Sequence, residues 1–439
     1  MKQKLGYIIY IVSVLLGLFV LALGLFIGNG RTEAELSKPE GELDFAKQME
    51  EYVSQNFALR KNVISAYTTL QQKAFLSSPV KDVVIGESGY LFYRDTVEDY
   101  SGLNLLNERE VYNVQKTLGL MAEHVEAAGG QFVLLIAPNK NSLYDYMPAN
   151  YIKSKEPSNA SRILAGLDNV MAVNLFTLFE QKEKELYFKT DTHWNDEGAY
   201  YVYEAVQQAL GYEPVNFPED GYSAEKTLVG DLANMLHPGT APTEEKLVFQ
   251  RKWNYEFLTK TRSFEQGYIE TVCEAAKNSL LMFRDSFANN LVEYFGESYH
   301  YAVFDKSLPY DLTQMENYHA NVVLAEIAER NLREYVEMAP IMPAPKRTAL
   351  FGEQVENLCE AVAIKAEDYV KITGEINNDY TGAQTDIYVR VNETLYEMTP
   401  VTANDNLYGF VGYVKDIKEA DRIVIVVATK DNIWEQVWR

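Results

Sequence analysis

Leu280-Leu281-Met282-Phe283-Arg284-Asp285-Ser286-Phe287-Ala288-Asn289 decides the fold. Its first four residues are apolar without alternation, which is the pattern of a strand buried on both faces. Arg284-Asp285-Ser286 then turns the chain, and a short helix is expected over 287–295. A serine at the carboxyl end of a buried parallel strand, where a helix opens, lies where α/β sheets place their sites. The partial positive charge of the helix N-terminus there favours an oxyanion.

Outward from this stretch, helix and strand patterns alternate. Glu108 to Ala128 reads as a helix that stops at Gly129-Gly130. Phe132-Val133-Leu134-Leu135-Ile136 is a second continuous apolar strand, and Val170-Met171-Ala172-Val173 a weaker one. A helix from about 196 to 210 closes at Gly211. Further strands are expected at 299–304 and at Asn321-Val322-Val323-Leu324-Ala325, with a helix near 329–337. This order implies an α/β fold with a mainly parallel sheet covered on both faces. The stretch 215–272 has no clear period and reads as a long insertion. Upstream, Phe45, Met49, Tyr52, Val53 and Phe57 keep helical spacing within 43–76, and Gly86-Glu87-Ser88-Gly89 turns into the short strand Tyr90-Leu91-Phe92-Tyr93.

Both ends differ in character. After Met-Lys-Gln-Lys, an uncharged run from about Gly6 to Gly30 is long enough for a bilayer, which takes about 20 apolar residues as a helix. Lys2 and Lys4 place the N-terminus in the cytoplasm. Residues 1–30 therefore read as a single-pass anchor, with the rest extracytoplasmic. A cleaved signal peptide is the alternative, although the run is long and lacks a clear Ala-x-Ala. Pro340, Pro343 and Pro345 mark a linker over 340–365. From 366 to 439 the period becomes two, as in Asp386-Ile387-Tyr388-Val389-Arg390-Val391, and a small β-sandwich-like module is expected. Its aromatics Tyr380, Tyr388, Tyr396, Tyr408 and Trp434 either hold glycan or fill the sandwich core.

The 439 residues carry a net charge of −23, a field that repels nucleic acid and anionic lipid headgroups. It also mildly disfavours a polyanionic polymer as substrate. Cys273 and Cys359 have no metal-type spacing. Two buried thiols is the reading preferred to a single bridge.

A serine hydroxyl is inert near neutral pH unless a base takes its proton. The base is best a histidine, held by an acceptor on its other nitrogen. Lys189-Thr190-Asp191-Thr192-His193-Trp194-Asn195 supplies both groups from one loop, Asp191 and His193. Plainer readings exist. Asp285-Ser286 and Asn195 or Asp196 are also good helix caps. Asp191 and His193 could ligate a metal, but that needs a third and fourth ligand at short range and His237 is the only other loop histidine with a plausible setting, so no metal and no cofactor are expected.

These segments resemble the SGNH hydrolase-like proteins of the alginate O-acetyltransferase group, including the bacterial DHHW proteins. The likeness runs from about Phe45 to Glu337. It is carried by Phe57-Ala58-Leu59-Arg60, Gly86-Glu87-Ser88-Gly89-Tyr90-Leu91-Phe92, and Ala137-Pro138-Asn139-Lys140 with Tyr144. Thr190-Asp191-Thr192-His193-Trp194, Glu197-Gly198-Ala199, Gly230-Asp231-Leu232, Arg284-Asp285-Ser286-Phe287 and Glu329-Arg330 follow in the family's order. The resemblance implies an SGNH-like domain over 31–339, with Ser286 as nucleophile, His193 as base and Asp191 as its partner. It implies an O-acetyltransferase with a polysaccharide acceptor and a membrane-bound O-acyltransferase as acyl donor. A polysaccharide O-acetylesterase and a non-catalytic polysaccharide-assembly protein are the alternatives. Two departures stand out: Thr192 where the family's name motif has His, and Arg284 where Gly commonly precedes Asp-Ser. Asn139, Lys140 and the Ser286 N–H are then the candidate oxyanion donors, with Arg284 and Asn289 as further oxyanion or substrate candidates.

Overall fold

The structure, a computed structural model, describes residues 14–20, 22–24, 47, 59–75, 78–366, 368–403, 406–415, 417, 418 and 420–438. Most of the expected anchor, and of the expected helix before Arg60, lies outside them. Among the described residues no helix is long and apolar enough to cross a membrane. The chain divides into two compact units, Met1–Arg94 with Lys189–Thr192 and Thr227–Glu244, and all the rest.

In the first unit, the helix Arg60–Phe75 precedes a hairpin of β1 (Val83–Ile85) and β2 (Leu91–Tyr93). The turn between them needs the left-handed region at Ser88 and Gly89, with φ of 55° and 84°. Val83 and Leu91 bury against Leu232, Ala233 and Leu236 of the helix Asp231–Leu236.

The second unit contains β3 (Gln131–Ala137), β4 (Ala172–Val173), the outer parts of a ribbon of β5 (Tyr222–Val229) and β6 (Thr243–Phe249), then β7 (Glu256–Phe257), β8 (Tyr268–Val272), β9 (Ser279–Phe283), β10 (Tyr301–Asp305) and β11 (Val322–Ala328). One sheet has the order β4-β3-β11-β9-β10-β8-β7. From β4 to β10 neighbours are parallel. β8 and β7 extend the β10 edge antiparallel. The expected insertion thus gives two strands back to the sheet. Their apolar content is too low and too interrupted for a pattern to show it.

Continuous apolar runs became strands buried on both faces. Phe132, Leu134 and Ile136 pack on the side of the helix Glu108–Ala127. Val133, Leu135 and Ala137 pack with the helices Asp196–Ala209 and Val292–Ser298. The long helix starts at a reciprocal cap. Asn107 Oδ1 accepts from Glu110 N–H at 2.9 Å, and Glu110 Oε2 accepts from Asn107 N–H at 2.8 Å.

The C-terminal part of this unit is a β-sandwich. Its strands are β12 (Lys346–Arg347), β13 (Glu353–Gln354), β14 (Cys359–Ala366), β15 (Tyr369–Ile376), β16 (Asp386–Val391), β17 (Thr394–Glu397), β18 (Thr399–Ala403), β19 (Asn406–Lys415), β20 (Ile423–Ala428) and β21 (Ile433–Val437). They form sheets of order β12-β17-β16-β20-β21-β13 and β14-β15-β19-β18. Ile372 and Phe410 of one sheet share a core with Val389 and Ile425 of the other. β12, β13 and most of β14 occupy the stretch expected as linker. The inward positions of β14 include the small residues Ala361 and Ala363, while Val362 and Ile364 face solvent, which blurs the period. Tyr380, Tyr396, Tyr408 and Trp434 pack against the sandwich core, the second of the two roles considered for them. The module is tied to the long helix by Arg109, which donates to Thr385 O at 2.7 Å, and by Tyr112, whose hydroxyl donates to Asp386 at 2.5 Å. Lys116 also pairs with Asp386 and Glu397. Cys273 and Cys359 are both buried and free.

Candidate active site

Ser286 stands where β9 leaves the sheet, and its Oγ lies 2.9 Å from His193 Nε2. Both residues are partly exposed, so neither is sealed in the interior. The capping alternative is resolved by the neighbour. Ser286 makes no side-chain cap bond to the short helix that follows. Asp285 Oδ1 does so instead, accepting from Phe287 N–H at 2.8 Å, which leaves the serine oxygen to the histidine. Asn195 does cap its helix, accepting from Gly198 N–H at 2.9 Å, and His193 is separate from that duty.

The His193 limb is held by the family-like residues around 138–144. Tyr187 and Trp194 form an antiparallel bridge, with Asn195 N–H donating to Leu186 O at 2.7 Å. Tyr187 donates to Pro138 O at 2.5 Å, Lys140 Nζ to Phe188 O at 3.0 Å, and Leu186 N–H to Tyr144 Oη at 2.7 Å. Gly198 is required here, because a Cβ on it would lie 2.6 Å from Leu186 O. Aromatic rings then join the two motifs. Phe287 meets the His193 ring edge to face with centroids 4.9 Å apart, and the fully buried Trp194 at 5.0 Å.

In the other unit, Asp191 is buried and its Oδ2 accepts from Asp231 N–H at 2.9 Å. Asp231 Oδ1 accepts from Thr192 N–H at 2.8 Å. A Cβ on Gly230 would fall 2.3 Å from Thr190 O. Gly230-Asp231, a weak signal in sequence, therefore holds the loop that carries Asp191. Gly230→Ala should force this backbone apart and destabilise the protein by roughly 1–3 kcal/mol. A lower urea midpoint, with ester turnover reduced in the folded protein, is the expected result.

The remaining candidates have other bonds. Asn139 is buried, with its N–H on Glu329 Oε2 and its Nδ2 on Asp99 Oδ2, each at 2.9 Å. Arg284 is buried too. It donates to Phe264 O and Gln266 O at 2.9 Å and to Asn289 Oδ1 at 2.6 Å, while Asn289 Nδ2 donates to Glu265 at 2.6 Å. Lys140 is taken up by the His193 limb. Each of these four side chains thus braces a loop around the site. Among the described residues no hydrogen bond occupies the Ser286 amide, the last of the expected donors.

Glu326 escaped the sequence reading, and Glu329, quoted there only as part of Glu329-Arg330, was given no role. Each is a buried acid at the end of β11, and a lone Glu in Val322-Val323-Leu324-Ala325-Glu326-Ile327-Ala328 was the available signal. Burial pushes the Glu329 carboxyl up to about 7, against bonds from Ser142 and Asn139 that lower it. A carboxyl raised on folding favours the native state below its unfolded value, and this advantage is lost as pH climbs through the folded value. Between about pH 4.5 and 7, Glu329 should therefore withdraw on the order of 3 kcal/mol of stability. Glu329→Gln should flatten that decline in urea titrations while leaving stability near pH 4 unchanged.

Comparison with known proteins gives the family of the chain. Residues 83–304, half of the chain, match the family described as SGNH hydrolase-like domain, acetyltransferase AlgX. A Pseudomonas putida protein named probable alginate O-acetylase AlgJ is 26% identical over 241 residues. That alignment covers 49% of this chain and 59% of the relative, so the chain spans less than two thirds of the relative's length. Among solved structures, Bacillus cereus PatB1 aligns with 57% of this chain and 96% of its own, at 19% identity and a TM-score of 0.46. A DHHW family protein from Eubacterium siraeum aligns with 57% of this chain and 94% of its own, at 16% identity and a TM-score of 0.43. With its parallel sheet, its serine at a strand end and the match over half its length, the chain belongs to the SGNH hydrolase-like domain family of the acetyltransferase AlgX.

Proposed function

We propose that this protein is an extracytoplasmic O-acetyltransferase that moves an acetyl group through a Ser286-linked acyl-enzyme to hydroxyls of a cell-surface or exported polysaccharide. The observation that carries the reading is the 2.9 Å approach of His193 Nε2 to Ser286 Oγ in a part-exposed setting. In the first half-reaction the serine oxygen bonds to the acetyl carbonyl carbon of the donor. His193 takes the hydroxyl proton and returns it to the donor's leaving oxygen or sulfur as that bond breaks. In the second, a sugar hydroxyl gives its proton to His193 as its oxygen attacks the acetyl carbon. Ser286 departs and regains its proton. The Ser286 N–H, at the start of a helical turn, is the oxyanion donor. Asp191 holds the second ring nitrogen, a role that rests on its place two residues before His193 and on the family resemblance.

The apolar run of residues 6–30 anchors the domain outside the cytoplasm, and a membrane-bound O-acyltransferase delivers the acetyl group. These two parts rest on sequence and family resemblance. An esterase would use water in the second half-reaction. The acetate content of cell-surface glycan in a Ser286→Ala strain decides between them. A fall is expected. A rise would identify an esterase, and no change would leave a binding protein.

A further inference from the structure

β9 and β11 run side by side as far as the pair Phe283–Ala325 and then part. Arg284 N–H stays with β10, donating to Asp305 O at 2.9 Å, while β11 continues along β3 to Ala328. Ser286 follows the point where they part. Buried backbone amides that leave a ladder need other acceptors. Two reciprocal bonds meet that need. Asp285 N–H donates to Glu326 Oε2 at 2.9 Å, and Ala328 N–H donates to Asp285 Oδ2 at 2.8 Å.

Glu326 is fully buried in an otherwise apolar strand. Burial first, and the Asp285 carboxylate second, push its carboxyl well above the ordinary range, with Arg284 offsetting part of the effect. That shift favours the neutral form of the carboxyl. An apolar side chain of similar volume would spare the cost of burying a carboxyl. What an apolar side chain lacks is an acceptor for the Asp285 amide.

We infer that Glu326 is a positioning residue for the nucleophile: its side chain, standing in for a β11 carbonyl, fixes the Arg284–Asp285 peptide and so aims Ser286 Oγ at His193 Nε2. This rests on the acyl-transfer reading of Ser286. Misplacing a reacting group by an ångström costs roughly 100-fold in rate, so the effect belongs in kcat rather than KM.

The test uses the purified full chain and two readouts. One is the rate of Ser286 labelling by phenylmethanesulfonyl fluoride, followed by mass spectrometry. The other is turnover of a chromogenic acetyl ester. Glu326→Gln keeps an acceptor and should label and turn over within about threefold of wild type. Glu326→Leu should lose roughly 10–100-fold in labelling rate and kcat, with KM and thermal midpoint little changed. A folded Leu variant that labels at the wild-type rate overturns the inference. So does a loss that merely tracks the unfolded fraction, or a Gln variant as slow as the Leu variant. Should the Leu variant fail to fold, the Gln variant decides, and a tenfold loss there overturns the inference. Labelling needs no acetyl donor. A wild-type chain that labels at Ser286 without turning over esters refutes acyl transfer alone, and one that does not label refutes both.

Discussion

Ser286→Ala is expected to lower acetyl-ester turnover at least about 1,000-fold while leaving the folded protein intact. The serine oxygen is the atom held 2.9 Å from His193 Nε2, and it does no capping work for the helix behind it. Asp285 has taken that work, with Oδ1 on Phe287 N–H and Oδ2 on Ala328 N–H and Asn331 Nδ2. Removing one hydroxyl from a part-exposed position should change stability by about 1 kcal/mol or less. The thermal midpoint and circular dichroism of the variant should therefore match wild type, so that lost turnover reads as lost chemistry. Unchanged turnover in the folded variant would sink the acyl-enzyme reading.

Trp194→Ala should have the largest effect on stability, a loss of roughly 3–5 kcal/mol. The indole has no exposed surface and packs edge to face on Phe287 at 5.0 Å and on Phe179 at 6.2 Å. It also pairs with Tyr187 across the bridge that presents His193. The cavity would open directly beside the segment that carries His193. Chemical denaturation should show the lower midpoint. At low temperature, where the variant remains folded, kcat should still fall, because Phe287 then loses the nearer of the buried rings that keep it against His193. Trp194→Phe should recover part of both losses. If the Ala variant keeps wild-type stability, the aromatic lock between the two motifs has no energetic weight.

Two of the strands buried on both faces were legible because their residues are all apolar. Phe132–Ile136 and Leu280–Phe283 are of this kind. Short edge strands were not. Glu256–Phe257 and Lys346–Arg347 owe their conformation to a neighbour's ladder rather than to their own side chains. In the candidate site, Ser286 and His193 were legible because a candidate nucleophile and a candidate base are distinctive residue types in distinctive settings, and the structure brings them to 2.9 Å. Asn139, Lys140, Arg284 and Asn289 were read as oxyanion or substrate groups from their nearness to motifs. Nearness in sequence does not say which way a side chain turns, and these four turn to Asp99, Phe188, Gln266 and Glu265, among others.

Local residue chemistry thus settled by itself that a parallel α/β sheet would form, that a β-rich module would follow it, and that a serine would end a core strand. Hydrophobic periodicity and turn residues act over a few positions, so they survive in a one-dimensional reading. Only the tertiary structure decided that positions 193 and 286 meet, that Asp285 rather than Ser286 caps the helix, and that the buried Glu326 carboxyl accepts from the Asp285 amide. Each of those outcomes depends on which strands lie side by side. That is a property of long-range pairing, and burial then sets the charge of whatever groups the pairing encloses.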